Sequence, residues 1–214
     1  VILGVKEVRN IVLGISVVDT LRDDSTDRLL NREGLWHHST QVASLAKKLG
    51  TRMELSLQGE DFIAGLLHDI GKLVLWKQLS EEYIEVYDRA KESGKPLHEL
   101  EFEEFGFDHA DAGSAIALSW GLPESLANAL CSHHAREDRP LAETKDPQLS
   151  ALVRIANLTA KEDFTTDNSA PELHPSCTEE EAWGILSSRN GAQNVNERYL
   201  MLKEFGGEVE KSTD

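Results

Sequence analysis

The chain has 214 residues, 40% of them hydrophobic, which is enough to bury the core of one domain of ordinary to large size. Its 22 basic and 38 acidic residues give a net charge of −16, which argues against binding a nucleic-acid backbone or an anionic membrane. A phosphorylated small molecule stays compatible with this charge, because a bound metal ion can supply local positive charge. No stretch approaches the roughly 18 to 20 apolar residues that span a bilayer.

The cysteines and the first residues of the chain indicate the cellular compartment of the protein. Cys131 and Cys177 form neither a disulfide framework nor a Cys-x-x-Cys metal knuckle. Residues 1–18 lack the initiator Met, the basic segment and the small-residue cleavage site of a signal peptide. We therefore expect a soluble protein of the reducing cytoplasm, and we expect these residues to come from inside a longer helical protein.

Helical periodicity dominates the chain, and no alternating pattern indicates a strand. Local sequence signals predict where several helices begin or end. The SGKP stretch at 93–96 ends one helix, Asp108 caps another, and Pro123 begins a third. Thr178 and Glu181 form a capping box. The predicted helices cover residues 5–20, 34–49, 60–76, 80–93, 97–106, 109–120, 123–134, 147–162, 178–188 and 194–205.

These elements predict an all-α fold in three parts. A helical domain covers residues 1–163, and a linker rich in Ser, Thr, Asp and Pro covers 164–177. Residues 178–214 form a short C-terminal helical extension.

One apolar stretch, AGLLHDIGKLVL at residues 64–75, contains the polar side chains of His68, Asp69 and Lys72. Asp and Lys are almost never fully buried unless they are paired, because an unpaired buried charge is strongly unfavourable. A metal ion, a salt bridge or solvent could each satisfy these groups, and the stretch alone leaves the three alternatives open.

Other histidines also fall on apolar faces of predicted helices, whereas His37 lies on a polar face and is predicted to be exposed. Each inward histidine has an ordinary explanation, such as a hydrogen-bonded core position or a contact with the dipole of a helix C-terminus. Together with Asp69 they offer imidazole and carboxylate ligands, which suit Zn, Fe, Ni or Mn. One Asp between imidazoles could bridge two ions, an arrangement that activates water against a phosphate ester. The inward histidines are His38, His68, His109, His133 and His134.

The order of these motifs resembles the HD superfamily of metal-dependent phosphohydrolases, and most closely the HDOD (HD-related output) domain of bacterial signalling proteins. The resemblance spans roughly residues 3–160 and implies a multi-helix HD bundle, which in this family is usually preceded by further helices. The strings that carry it are GVKEVRNIVLGISV, LWHHSTQVASLAKKL, DFIAGLLHDIGKLVL, KPLHELEFEEFGFDHADAGSAIALSWGLPESLANALCSHH and LSALVRIANLTA.

The resemblance also implies site residues and one or two divalent ions (Fe, Mn, Zn or Ni). Lys72 matches the phosphate-contacting lysine of related cyclic-di-GMP phosphodiesterases, so catalytic roles are implied for Asp69, which would bridge the ions, and for Lys72. The positions that bind metal in catalytic relatives are occupied here by His38, His68, Asp69, His109, His133, His134 and Asn157.

Three departures from the catalytic pattern accompany this resemblance. Asn157 stands where the superfamily has an Asp, and the neutral amide is a weaker ligand than a carboxylate. The loop after His134 lacks the Gly-Tyr-Pro signature of the cyclic-di-GMP enzymes, and Gly34 stands where those enzymes tend to carry a Glu.

Three functions follow as hypotheses. The leading one is a regulatory HDOD module that acts with other signalling domains or proteins without turnover, and metal retention is compatible with it. The second is a metal-dependent phosphohydrolase or phosphodiesterase that acts on a nucleotide. The third is a helical interaction domain whose histidines form a buried polar network without metal.

Overall fold

The computed structural model describes residues 32–160 and 181–190, and within these ranges every regular element is helical. The all-α prediction is therefore confirmed. The predicted helices at 5–20 and 194–205, the linker, Cys177 and Thr178 lie outside the described residues. In chain order the helices are α1 (Arg32–Arg52), α2 (Glu60–Leu67), α3 (Ile70–Leu79), α4 (Glu81–Ser93), α5 (Leu97–Phe105), α6 (His109–Ser119), α7 (Glu124–Cys131), a 3-10 turn (Leu141–Glu143), α8 (Pro147–Thr159) and α9 (Glu181–Asn190).

The predicted single helix at 60–76 is wrong, because the structure divides it into α2 and α3. The helix breaks at His68 and Asp69, where Asp69 has φ −97° and ψ 9°. Hydrophobic periodicity continues on both sides of this break, so the sequence pattern does not reveal it. The break places two consecutive polar side chains at a helix junction, where both can face the same interior point.

The predicted end of the helix at 123–134 also differs. Helix α7 ends at Cys131, so His133 and His134 lie in the turn that follows it. The cap at Asp108 is confirmed: its side chain accepts a hydrogen bond from the Asp111 N–H at 2.9 Å and completes a capping box. His109 is therefore the first residue of α6.

Two hydrophobic cores share α8. Leu152 and Ile155 pack with α1 and with Trp183 of α9 in one core. Leu149 and Val153 pack with α2 and α7 in the other core. Helix α8 therefore forms the centre of the domain, and α9 shares its core. None of the described helices is long and apolar enough to cross a membrane.

Two glycines hold the helix junction close to its neighbours. A Cβ at Gly65 would lie 2.7 Å from the Ala43 Cα in α1, and a Cβ at Gly71 would lie 1.8 Å from the His109 carbonyl oxygen in α6. Any larger residue would force the backbones apart. The absence of a side chain at both positions lets the His68–Asp69 junction touch α1 and α6 at once.

Candidate metal centre

Asp69 lies at the centre of the histidine cluster and is 2% exposed. Its Oδ2 atom is 3.3 Å from His68 Nε2 and 3.8 Å from His38 Nε2. Its Oδ1 atom is 3.2 Å from His109 Nε2 and 3.5 Å from His133 Nε2. The two carboxylate oxygens therefore face two different sets of imidazoles, which divide the centre into two halves.

The first set, which we call the His38 half, consists of His38, His68, Asn157 and the Oδ2 side of Asp69. The Nε2 atoms of His38 and His68 are 3.2 Å apart. Asn157, on α8, places its Oδ1 atom 3.0 Å from His38 Nε2. This half is built from α1, the helix junction and α8, all of which are buried at these positions.

The second set, which we call the His109 half, consists of His109, His133, His134 and the Oδ1 side of Asp69. His109 Nε2 is 3.3 Å from His133 Nε2 and 3.0 Å from His134 Nε2. It is built from the first residue of α6 and from the turn after α7.

Hydrogen bonds on the far side of the rings fix which nitrogen faces the centre. His68 Nδ1–H donates to the Gly65 carbonyl at 2.8 Å, and His133 Nδ1–H donates to the Leu130 carbonyl at 2.6 Å. An imidazole that donates from Nδ1 presents an Nε2 lone pair, which is the form that binds metal. Both rings are therefore held in ligand-competent tautomers.

The spacing of these atoms fits a divalent cation. The His38 and His68 Nε2 atoms, 3.2 Å apart, can meet in two ways: one ring donates a proton to the other, or both lone pairs face a shared positive ion. Ligand atoms that surround one ion at about 2.1 Å lie about 3 Å apart. Within the described residues, two groups have ligand atoms all within 4.8 Å of one another. They are His38, His68 and Asp69, and Asp69, His109, His133 and His134.

The electrostatic environment keeps most of these histidines neutral. Burial, together with the neighbouring His68, lowers the pKa of His38 to about 4, and burial lowers the pKa of His133 to about 3. Burial also holds the pKa of His134 well below its usual range. His109 differs: burial lowers its pKa, but the adjacent Glu101 carboxylate outweighs that effect and raises it to about 9.

Lys72 lies one turn beyond His68 and contacts the same centre. Its Nζ atom donates to Asp69 Oδ2 at 2.7 Å, and its side chain is 18% exposed. Burial raises the pKa of Asp69, but His68 and Lys72 outweigh burial and hold the pKa well below its usual range. Asp69 is therefore a carboxylate at neutral pH. The polar groups of the apolar stretch are satisfied by one another and by the other histidines.

The sequence analysis missed two residues that contact the His109 half. Glu101 is fully buried and contacts His109, while the His98 ring stacks on His134 with centroids 3.9 Å apart. Glu101 lies in an acidic stretch of α5 whose other members, such as Glu103, face solvent. The only available signal was that Glu101 follows the buried Leu100 on a helix that leads directly to His109.

The structure brings all the predicted site residues to one place, while the exposed His37 lies apart from them as expected. Those that meet at the centre are His38, His68, Asp69, Lys72, His109, His133, His134 and Asn157.

Comparison with known sequences identifies the family. The HDOD domain profile matches residues 1–136. The chain belongs to the HDOD family. This HDOD chain is also 28% identical over 163 residues to an uncharacterized protein of Treponema pallidum (strain Nichols). That match covers 74% of the chain but 30% of the relative, so the chain spans less than a third of the relative's length.

Solved structures share the HDOD fold. An HDOD domain protein of unknown function from Geobacter sulfurreducens superimposes with a TM-score of 0.74 at 25% identity, covering 97% of this chain and 68% of that one. A candidate phosphohydrolase from Shewanella amazonensis SB2B gives 0.62 at 21% identity, with 95% and 71% covered. The MmoQ response regulator of Methylococcus capsulatus str. Bath gives 0.56 at 24% identity, with 74% and 58% covered. The last two matches are evidence of a shared fold alone.

Proposed function

We propose that this HDOD domain is a regulatory module of a bacterial signalling protein that holds one or two divalent ions around Asp69 without hydrolysing a nucleotide. The observation that supports metal retention is the convergence of imidazole Nε2 atoms on both oxygens of one buried carboxylate, at 3.2 to 3.8 Å. The ions would be held by His38, His68 and Asn157 on one side, by His109, His133 and His134 on the other, and by Asp69 between them.

Two features of the His38 half support the absence of turnover. Asn157 gives His38 a neutral neighbour at 3.0 Å, so an ion there has one negative charge fewer than in the catalytic relatives. The Lys72 ammonium is paired with Asp69 at 2.7 Å, and that ion pair would have to open before Lys72 could contact a phosphate oxygen. When bound, a divalent ion supplies Lewis-acid chemistry at the centre.

Elemental analysis tests metal retention directly. We expect the untagged protein, purified without chelator, to carry one or two equivalents of Fe, Mn, Zn or Ni. A His68→Ala/Asp69→Ala variant should lose them, because both halves share Asp69. The matched control is His37→Ala, which removes the exposed histidine next to His38 and should retain the metal. Metal-free wild-type protein would contradict the proposal and favour a polar histidine network.

A second candidate function is hydrolysis of a phosphate ester in a nucleotide. It is supported by a carboxylate shared between two ligand groups with a part-exposed lysine beside it, and by the fold shared with the Shewanella candidate phosphohydrolase. In this function Asp69 would bridge the ions and Lys72 would bind a phosphoryl oxygen.

A screen of nucleotides and cyclic dinucleotides with the metal-loaded protein separates the two functions. We expect no turnover above the His68→Ala/Asp69→Ala variant. Turnover that disappears in Lys72→Met and increases in Asn157→Asp would establish the hydrolase instead, because Asn157→Asp restores the charge of the catalytic pattern.

The proposed partners are other signalling domains or proteins. The net charge of −16 opposes DNA and anionic lipid vesicles, so we expect no binding of either at physiological salt. Binding of either would contradict this part of the proposal.

A further inference from the structure

We infer that the two halves of the centre differ in their affinity for a divalent ion. The His109 half binds the ion more tightly, because Glu101 and Tyr83 fix His109 on the side of its ring that faces away from the centre. The inference rests on the proposed metal centre and assigns Glu101 and Tyr83 as positioning residues. It also implies that the His38 half, which includes the His68–Asp69 motif, is the weaker site.

Glu101 accepts three short hydrogen bonds, two from His109 and one from Tyr83. Its Oε2 atom accepts from the His109 backbone N–H at 2.8 Å and from His109 Nδ1–H at 2.6 Å. Its Oε1 atom accepts from the Tyr83 hydroxyl at 2.6 Å. Because the carboxylate is fixed from both sides, the His109 ring cannot turn its Nε2 atom away from the centre. A carboxylate behind a ligating imidazole also makes that imidazole a stronger ligand.

The charge of Glu101 favours a cation at the same place. Glu101 and Tyr83 are both 0% exposed. Among the described residues, the hydrogen-bond partners of Glu101 are a phenol, a backbone amide and the His109 imidazole. A buried carboxylate requires a positive partner, and here that partner is the His109 ring or an ion bound to it. The Glu101 charge would therefore attract a divalent ion on the Nε2 atom of His109.

The His38 half lacks this support. Asp69 Oδ2, the oxygen that faces this half, already accepts a hydrogen bond from the Lys72 ammonium at 2.7 Å, so less of its charge is left for an ion. His38 Nδ1 is buried and has no hydrogen-bond partner among the described residues, and Asn157 is neutral. By contrast, the ion-pair partners of Asp69 Oδ1 in the described part of the chain are His109 and His133.

Titration of the metal-free full chain with Co²⁺ tests the order of binding, followed by visible absorbance and calorimetry. We expect two phases, the second at least tenfold weaker than the first. His109→Gln should remove the tight phase, while His38→Gln should remove the weak phase and leave the tight phase in place.

The supporting pair is tested with Glu101→Gln, which keeps the shape of the side chain and removes its charge. We expect the tight phase to weaken by about 10- to 100-fold, the usual effect of losing the partner of a ligating histidine. Tyr83→Phe should have a smaller effect because the charge remains. Glu103→Gln, an exposed change on the same helix, is the matched control and should leave both phases unchanged.

The outcomes distinguish failure of this inference from failure of the proposed metal centre on which it rests. Loss of the tight phase in His38→Gln but not in His109→Gln would overturn the inference and leave the metal centre standing. Unchanged binding in Glu101→Gln would overturn the role of Glu101. Wild-type protein that binds no Co²⁺ would overturn both. If circular dichroism shows that Glu101→Gln does not fold, the comparison of His38→Gln with His109→Gln still decides the order of binding.

Discussion

The His38 half and the His109 half offer similar ligand atoms to one carboxylate, but the protein positions them differently. His38 and Asn157 project from within α1 and α8, where apolar packing fixes the backbone. His109, His133 and His134 lie at a helix start and in a turn, where hydrogen bonds to Asp108, Glu101 and the Leu130 carbonyl fix the chain. The comparison teaches that helix packing and a buried polar network can each order a ligand set, and that the two respond to different mutations.

Asp69→Asn should have the largest effect on metal content, because it removes the one charge that both halves share. The amide keeps the size of the side chain, so the fold should persist while the protein loses the ions of both halves. Elemental analysis measures the loss, with His37→Ala as the control. Retention of one full equivalent would show that the halves do not depend equally on Asp69.

Gly71→Ala should have the largest effect on stability. The new Cβ would lie 1.8 Å from the His109 carbonyl oxygen, so α3 and α6 would have to separate. We expect a loss of about 3 kcal/mol in the free energy of unfolding, measured by urea denaturation, together with weaker binding in the His109 half.

The matched control for that variant is Gly184→Ala in α9. A Cβ at Gly184 meets nothing within 4 Å, so the same substitution should be neutral or stabilise the helix. If both variants lose the same stability, the close approach at Gly71 is not what holds the junction.

Asp108→Ala should lower stability less, by about 1 to 2 kcal/mol, because it removes the N-cap of α6. It also removes the partner of Arg136 at 3.1 Å. The exposed Asp138 contacts the same arginine, and Asp138→Ala should change the urea midpoint little.

The effect of Asp108 should depend on pH. Burial raises its pKa, but the Asp111 backbone N–H, His109 and Arg136 outweigh burial and hold it below the usual 3.8. The stabilisation is therefore present above pH 3.8 and is lost as the pH falls through the lower pKa of the folded state. Urea midpoints of Asp108→Ala and wild type should converge in that acidic range; a constant difference would contradict the assignment.

Asn157→Asp should have the smallest effect, and it tests the comparison in the His38 half. It adds a carboxylate 3.0 Å from His38 Nε2, so the weaker Co²⁺ phase should strengthen by about tenfold while the tight phase stays constant. The control is Asn128→Asp, whose side chain contacts the backbone of Lys145. A stronger tight phase in Asn157→Asp would contradict the assignment of the two halves.

The sequence predicted most of the residues that meet at the centre, since apolar periodicity placed His38 inward and the order of motifs resembled the HDOD family; that they bind metal stays a prediction. It did not predict the break at His68 and Asp69, because the apolar pattern runs through it. It did not predict Glu101, because one buried carboxylate among exposed ones has no distinguishing local pattern. The Tyr83–Glu101 contact forms only when α4 and α5 fold against each other, and periodicity within one helix carries no information about such a contact.

The contribution of α8 to both cores has a consequence for how the domain denatures. Leu152 and Ile155 belong to one core, while Leu149 and Val153 belong to the other, so melting of α8 dismantles both together. We therefore expect the two cores to unfold as one cooperative unit, and the amide hydrogens of α8 to exchange with solvent through global opening. An ion bound near Asn157, at the end of this helix, would slow that exchange throughout the domain.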